Sequence, residues 1–195
     1  ERYHGAVYGT AMNGLEARHI RVTDLNQLSK LQGSKYVHSH ILDTYSKMED
    51  DLAAGKKVLL IGSPCQIAGA RNIFKKKYSN LILVDILCHG VPSQDCFAKG
   101  IELETSSEVT SVSFRDNNKY CLTGYNDKRI IFKTPYRASY YLNGFVEGYI
   151  FRENCYYCKY AKRERCSDIT IGDFWGLGKN KEYAGDIEKG VNLVT

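Results

Sequence analysis

The sequence predicts a mixed α/β fold: a partly parallel central sheet with flanking helices, joined to an antiparallel strand region and a cysteine-rich segment. Three observations predict it. Two continuous apolar runs, Lys57-Val58-Leu59-Leu60-Ile61 and Leu81-Ile82-Leu83-Val84-Asp85-Ile86-Leu87, flank a helical stretch, the pattern of a parallel crossover unit. Shorter strand-like runs with Asn-rich turns follow, as in antiparallel sheets. Seven cysteines fall in 195 residues, two of them as a Cys-x-x-Cys pair at Cys155 and Cys158.

In chain order, residues 5–12 and 18–22 read as a strand pair, with Asn13-Gly14 near the turn. Thr23 or Asp24 can cap a short helix carrying Leu25, Leu28 and Leu31, which Gly33 ends. Ile41, Tyr45, Met48 and Leu52 recur at helical spacing, so residues 40–54 form an amphipathic helix closed by Gly55. Strand 57–61 turns through Gly62-Ser63-Pro64-Cys65-Gln66 into a helix with Ile67, Ile73 and Phe74. Strand 81–87 turns through Cys88-His89-Gly90-Val91-Pro92-Ser93 into a helix near 95–103. Short strands are expected at 109–114, 119–123 and 129–133, around Asp116-Asn117-Asn118 and Asn126-Asp127. Pro135 precedes a helix over about 136–147, and a last strand covers 168–172. Beyond Lys179 the chain is polar and carries little signal.

A chain of 195 residues is read as one domain, with the crossover core at about 56–104 and the antiparallel and cysteine-rich part at about 105–178. Hydrophobic residues at 43% and charged residues at 25% are ordinary for a globular protein. The formal net charge is +5, with basic residues grouped at Lys75-Lys76-Lys77 and from Lys159 to Arg165. Such groups are a solvated face, or a surface for an anionic cofactor or acidic redox partner. No nucleic-acid motif accompanies the charge. No apolar run approaches the ~20 residues of a membrane span and no signal peptide is recognisable, so a cytoplasmic protein is expected. The chain opens at Glu1 without a methionine, and a fragment of a longer protein is expected. An odd cysteine count in a chain of ordinary size argues for metal or redox use rather than a disulfide framework.

Ligands of parallel sheets bind beyond the carboxyl ends of the strands. Cys65 and Cys88 both stand there, and if the two strands are neighbours their thiols face one crevice. With Cys155 and Cys158 they make four thiolates, the number that a 4Fe-4S cluster or a tetrahedral zinc requires. Ligand type does not separate the two, but zinc sites usually draw on two Cys-x-x-Cys knuckles, and the single knuckle here favours the cluster. Two other readings stay open: Cys65 and Cys88 as small buried residues, and Cys155/Cys158 as a redox dithiol. Cys96 and Cys121 read as structural, and Cys166 as a competing ligand. His89 can tune a cluster or relay a proton, or sit as an ordinary loop histidine; His4, His19, His38 and His40 form no metal pattern. Tyr156, Tyr157, Phe174 and Trp175 are either a water shield or core packing. Gly33-Ser34-Lys35-Tyr36-Val37 is either a helix C-cap or a small phosphate-holding loop.

Five motifs occur in order: Gly33-Ser34-Lys35-Tyr36-Val37; Gly62-Ser63-Pro64-Cys65-Gln66-Ile67-Ala68-Gly69; Asp85-Ile86-Leu87-Cys88-His89-Gly90-Val91-Pro92-Ser93; Cys155-Tyr156-Tyr157-Cys158; and Ser167-Asp168-Ile169-Thr170-Ile171-Gly172-Asp173-Phe174-Trp175-Gly176. From about Gly5 to Gly178 the sequence resembles the beta subunit family of coenzyme F420 (deazaflavin) hydrogenases and dehydrogenases. The resemblance implies a flavoprotein that holds FAD and passes electrons between iron–sulfur centres and a deazaflavin or other small acceptor. It implies Cys65, Cys88, Cys155 and Cys158 as cluster ligands, and Gly33, Ser34, Lys35 and Tyr36 as a flavin-contacting segment. Of Lys35, Arg137 and Arg152, Lys35 is the preferred partner for FAD phosphates. Relatives carry an amino-terminal ferredoxin module that is absent here, which implies a ferredoxin-type module or redox partner protein. Bacterial members stand among polysaccharide-synthesis enzymes. Cys166 stands where the family has another residue type.

The expectation is therefore an oxidoreductase domain in which flavin converts between hydride and single-electron transfer. No residue is assigned as catalytic. The alternative is a non-catalytic module stapled by zinc or a cluster, which docks partner proteins.

Overall fold

The computed structural model describes residues 5–75, 77–117, 119–174, 177, 182, 185 and 191–195. Two sheets organise the chain: a six-stranded sheet in the order β2-β1-β3-β4-β8-β9 and a three-stranded sheet in the order β5-β6-β7. In the first, β1 (Gly5–Asn13) and β2 (Glu16–Val22) form the expected antiparallel hairpin, and Gly14 takes the positive φ of 61° that its turn needs. β3 (Lys57–Gly62) and β4 (Leu81–Ile86) pair in parallel, the crossover expected from their continuous apolar runs.

Two pairings were not legible in the sequence. β1 also runs parallel to β3, and β8 (Ile169–Asp173) pairs in parallel with β4. The part of the chain read as antiparallel thus returns one strand to the parallel sheet. β9 (Asn192–Val194) closes that edge antiparallel to β8.

One face of this sheet is packed by α1 (Leu42–Ala53) and α2 (Pro64–Ala70), the latter continuing as a π turn over Arg71–Lys75. Tyr8, Met48, Leu52, Leu60, Ile67, Phe74, Leu81 and Leu83 meet there. The alternate residues of β4 and β8, Ile82, Ile86 and Ile169, remain exposed on the other face.

A second cluster holds the rest of the chain. α3 (Gln94–Glu104), α4 (Tyr140–Val146) and the sheet of β5 (Ser111–Asp116), β6 (Lys119–Asn126) and β7 (Arg129–Pro135) bury Phe97, Ile101, Phe114, Leu122, Tyr141, Leu142 and Phe145 together. α4 starts later than the 136–147 reading. Ala138 and Ser139 first turn back onto the Pro135 carbonyl, and the Ser139 hydroxyl then caps the helix by accepting from Leu142 N at 3.1 Å.

The helix expected after Asp24 is a 3-10 helix, Leu25–Leu31, with Asp24 accepting from Asn26 N at 2.9 Å. It buries none of its residues, and Leu25 is 76% exposed. Among the described residues, no helix is long and apolar enough to cross a membrane. His4, Lys76, Asn118, Trp175, Gly176, Gly178 and Lys179 lie outside the described residues.

Candidate metal centre

The register of β3 and β4 sets the two upstream cysteines level with each other. Gly62 pairs with Asp85, and Cys65 and Cys88 each stand three residues beyond that pair, at the carboxyl end of the sheet. Cys65 lies in the first turn of α2. Gln66 Oε1 accepts from Ser63 N and from Ser63 Oγ, both at 3.0 Å, which fixes the turn ahead of the helix. The Cys65 thiol is exposed and lies 3.2 Å from Ser63 Oγ.

Behind that turn is a buried polar network. Gln66 Nε2 donates to Ser39 O at 3.0 Å, and Ser39 Oγ sits 3.1 Å from His19 Nδ1. His19 Nε2 faces Ile61 O at 3.0 Å, so that nitrogen carries the proton. Burial pushes His19 down to about 4.

Cys88 follows β4 and is more enclosed. Its thiol is pushed up to about 11, by burial first; the charges of Cys65, Cys155 and Cys158 push the same way, and the Gly90 amide opposes them. Gly90 has φ of 133°, and a Cβ there would collide with the Phe151 ring, which also stacks near His89. His89 packs on Phe145 as well, 4.9 Å between centroids, and burial lowers its pKa.

The Cys-x-x-Cys pair straddles the end of a single helical turn, α5 (Glu153–Tyr156). Arg152 N donates to Val91 O at 3.0 Å, and Cys155 N donates to Arg152 O at 2.8 Å. These bonds seat the pair against the loop that follows Cys88, with Cys155 Sγ 4.0 Å from Val91 O. Cys155 is in the turn and Cys158 lies just past it.

The donor set suits a four-thiolate site in type and number. Among the described residues, no three His, Cys, Asp or Glu side chains are drawn close enough together to hold a metal ion. Cys166 has its own contacts. Its thiol donates to Pro64 O at 3.3 Å and packs on the first core. Cys96 packs against the second core, and Cys121 is buried on β6. Of the aromatic residues near the pair, Tyr156 is tied to the chain by its hydroxyl, which donates to Gly148 O at 3.0 Å, while Tyr157 is 84% exposed.

The loop of Gly33, Ser34, Lys35 and Tyr36 lies apart, against β5. Gly33 takes φ of 81°, and Lys35 Nζ donates to the carbonyls of Leu31, Gln32 and Gly33 at 3.0, 2.7 and 3.1 Å. The ammonium therefore closes the 3-10 helix, and burial lowers its pKa to about 8. Tyr36 faces inward, stacked on Phe145 at 4.5 Å, with its hydroxyl accepting from Arg115 Nε at 2.6 Å. A cavity of about 280 Å³ lies beside the loop, lined by Lys30, Gly33, Ser34, Lys35, Ser113 and Arg115 among others. A second, mostly apolar cavity of about 560 Å³ lies at the end of the small sheet, lined by Tyr120, Cys121, Pro135 and Tyr136 with Asp116, Lys119 and Lys133. Arg137 lies over Tyr136, and Arg152 bears on His38, whose pKa burial lowers to about 4.

Residues 55–195 match the family described as the C terminus of the coenzyme F420 hydrogenase/dehydrogenase beta subunit. The chain belongs to that family. The fold agrees with a chain from a xenon-derivatised structure of the F420-reducing [NiFe] hydrogenase complex from Methanosarcina barkeri, with a TM-score of 0.56 at 13% identity. That superposition covers 88% of this chain and 58% of the hydrogenase chain, so this F420 hydrogenase/dehydrogenase beta subunit domain spans little more than half of its structural neighbour. No curated protein matches the sequence.

Proposed function

We propose that this domain is a flavin- and iron–sulfur-dependent oxidoreductase unit that moves electrons between an iron–sulfur partner and a deazaflavin or other small molecule. The observation that supports the reading is that Cys65 and Cys88 stand level beyond the carboxyl ends of two paired parallel strands, with the turn that bears Cys155 hydrogen-bonded to the loop after Cys88. The four thiolates of Cys65, Cys88, Cys155 and Cys158 would hold a 4Fe-4S cluster. When bound, the cluster supplies single electrons and FAD supplies pairs.

The chain's own part is to gather and shelter the thiols. Ser63 and Gln66 set the Cys65 turn, and the Val91 carbonyl holds the start of the turn that bears Cys155. Phe145 and Phe151 pack on His89, the residue that follows Cys88. For FAD the fit is partial. The loop of Gly33, Ser34, Lys35 and Tyr36 borders a cavity at the small end for a ligand site, and the Lys35 ammonium already serves three carbonyls. Within the loop, Ser34 and the Gly33 backbone are the groups left to meet a phosphate, with Lys30 and Arg115 on the wall of the same cavity. The partner is a ferredoxin-type protein or module, and the setting is cytoplasmic.

The test is cofactor analysis of the full-length protein purified without oxygen. Iron, sulfide and FAD bound together, with reduction by a ferredoxin-type donor, support the proposal. A colourless protein with stoichiometric zinc would replace it with a stapled docking module.

A further inference from the structure

After Cys158 the chain returns to the sheet through Arg165, Cys166 and Asp168, and each of these contacts a residue that leads into an upstream cysteine. Arg165 Nη2 lies 2.9 Å from Asp85 Oδ2 and 3.4 Å from Ile86 O, just ahead of Cys88. Cys166 Sγ donates to Pro64 O at 3.3 Å, directly ahead of Cys65. Asp168 joins the Leu83 backbone in both directions, at 2.8 and 2.9 Å. Arg71, on the helix that Cys65 opens, donates to Cys166 O and, at 2.9 Å, to Asp168 Oδ1.

The Asp85–Arg165 pair is the unusual member. Asp85 is 0% exposed in a strand that is otherwise apolar. Its contact with Arg165 is an ion pair rather than an aligned hydrogen bond, since neither Asp85 oxygen nor Arg165 Nε has a well-oriented hydrogen-bond partner. A buried pair of this kind is a poor source of stability, because desolvating two charges offsets most of their attraction. An apolar pair of similar volume would hold the core as well. What the ion pair adds is placement: one end sits on β4 ahead of Cys88, the other on the segment that carries Cys155 and Cys158.

We propose that Asp85 and Arg165 are positioning residues that tie the Cys155/Cys158 segment to the strand end bearing Cys88. The inference rests on the reading of those thiols as one site. Four forms of the full-length protein test it: wild type, Arg165→Leu, Arg165→Lys and Asp85→Leu/Arg165→Leu. Arg165→Leu alone strands a buried carboxylate and lowers the melting temperature; the double variant removes that charge and regains most of it. Melting thus separates folding from placement.

The placement readout is bridging of Cys88 to Cys155 by dibromobimane in metal-free protein, in a Cys65→Ser/Cys158→Ser background with peptide mapping of the product. The tie predicts bridging in the wild-type pair, a fall of at least tenfold in the double variant despite its regained melting temperature, and partial recovery in Arg165→Lys. Iron retained against a chelator should follow the same order. Bridging and iron retention in the double variant equal to wild type overturn the proposal and leave the pair as packing. Loss of bridging in a protein whose wild type binds no iron keeps the tie and removes the cluster reading instead.

Discussion

Asp51 offers the sharpest stability prediction. Its carboxylate is buried at the end of α1 and accepts from Tyr8 OH at 2.6 Å, from Arg21 Nε and Nη2 at 2.6 and 2.8 Å, and from Lys56 Nζ at 2.8 Å. The perturbation is Asp51→Asn, which keeps the shape and removes the charge. Hydrogen bonds to a charged group contribute about 1.5–3 kcal/mol each. Arg21 and Lys56 keep 33% and 41% of their side-chain surface in water and can turn outward, so most of their share is recovered. Tyr8 is fully buried and cannot turn away. The net expectation is a loss of about 2–3 kcal/mol at pH 7, or a fall in melting temperature of roughly 5–10 °C for a chain of this size.

The sign with pH follows from the carboxyl, which Arg21 holds well below the ordinary carboxylate range. A depressed pKa contributes stability that is fully present above the unfolded value of about 3.9 and fades as pH falls toward the folded value. About 1 kcal/mol of the gap between wild type and Asp51→Asn should therefore be gone at pH 3. Urea midpoints at pH 7, 5, 4 and 3, with m unchanged, measure it. A gap below about 0.5 kcal/mol at pH 7, or one that stays constant down to pH 3, would mean that the Asp51 charge does not stabilise the fold.

Other outcomes follow from single contacts. Gly90→Ala drives a Cβ into the Phe151 ring at a left-handed φ, so it should lower stability by about 1–3 kcal/mol and reduce iron content, read by melting and metal analysis. His19, lowered to about 4 by burial, should stay neutral at pH 5.5 by NMR, and stability should decline as pH falls from about 6.5 toward 4, where only the unfolded chain binds its proton; a His19 titrating at the usual value contradicts the buried network. Lys35→Met removes the cap from the 3-10 helix and should cost about 1 kcal/mol by urea melt, with loss of FAD binding small beside that of Ser34→Ala; the reverse order restores the phosphate role for Lys35. Cys166→Ser should leave cluster absorbance intact, because its thiol serves Pro64 O and not the Cys88 group.

The parallel pair of β3 and β4 was legible because two continuous apolar runs flank a helical stretch, although only one face of the sheet is packed and Ile82 and Ile86 stay exposed; the turns that follow the runs marked Cys65 and Cys88 as candidates. β8 was not legible as a parallel partner. Ile169-Thr170-Ile171 is too short for its periodicity to name a neighbour, and its place beside β4 is set by contacts far apart in sequence, such as Asp168 to Leu83. Ser139 displaced the expected start of α4 because its hydroxyl caps the helix once Pro135 has turned the chain. Lys35 read as a phosphate ligand because a sequence does not show that its side chain folds back onto the carbonyls at the end of the preceding 3-10 helix. Asp85 carried a usable signal: a carboxylate inside Leu81-Ile82-Leu83-Val84-Asp85-Ile86-Leu87 must find a cation, and the basic run from Lys159 to Arg165 held it.

The central claim is that Cys65, Cys88, Cys155 and Cys158 form one cluster-binding site. Its most direct measurement is the visible and electron paramagnetic resonance spectrum of anaerobic wild-type protein beside four single Cys→Ser variants at those positions and Cys166→Ser. A shared site predicts iron–sulfur absorbance and a reduced-cluster signal in wild type and Cys166→Ser, with both lost or strongly altered in each of the other four. Unchanged spectra in Cys65→Ser or Cys88→Ser, or a wild type that carries zinc and no iron, would contradict it.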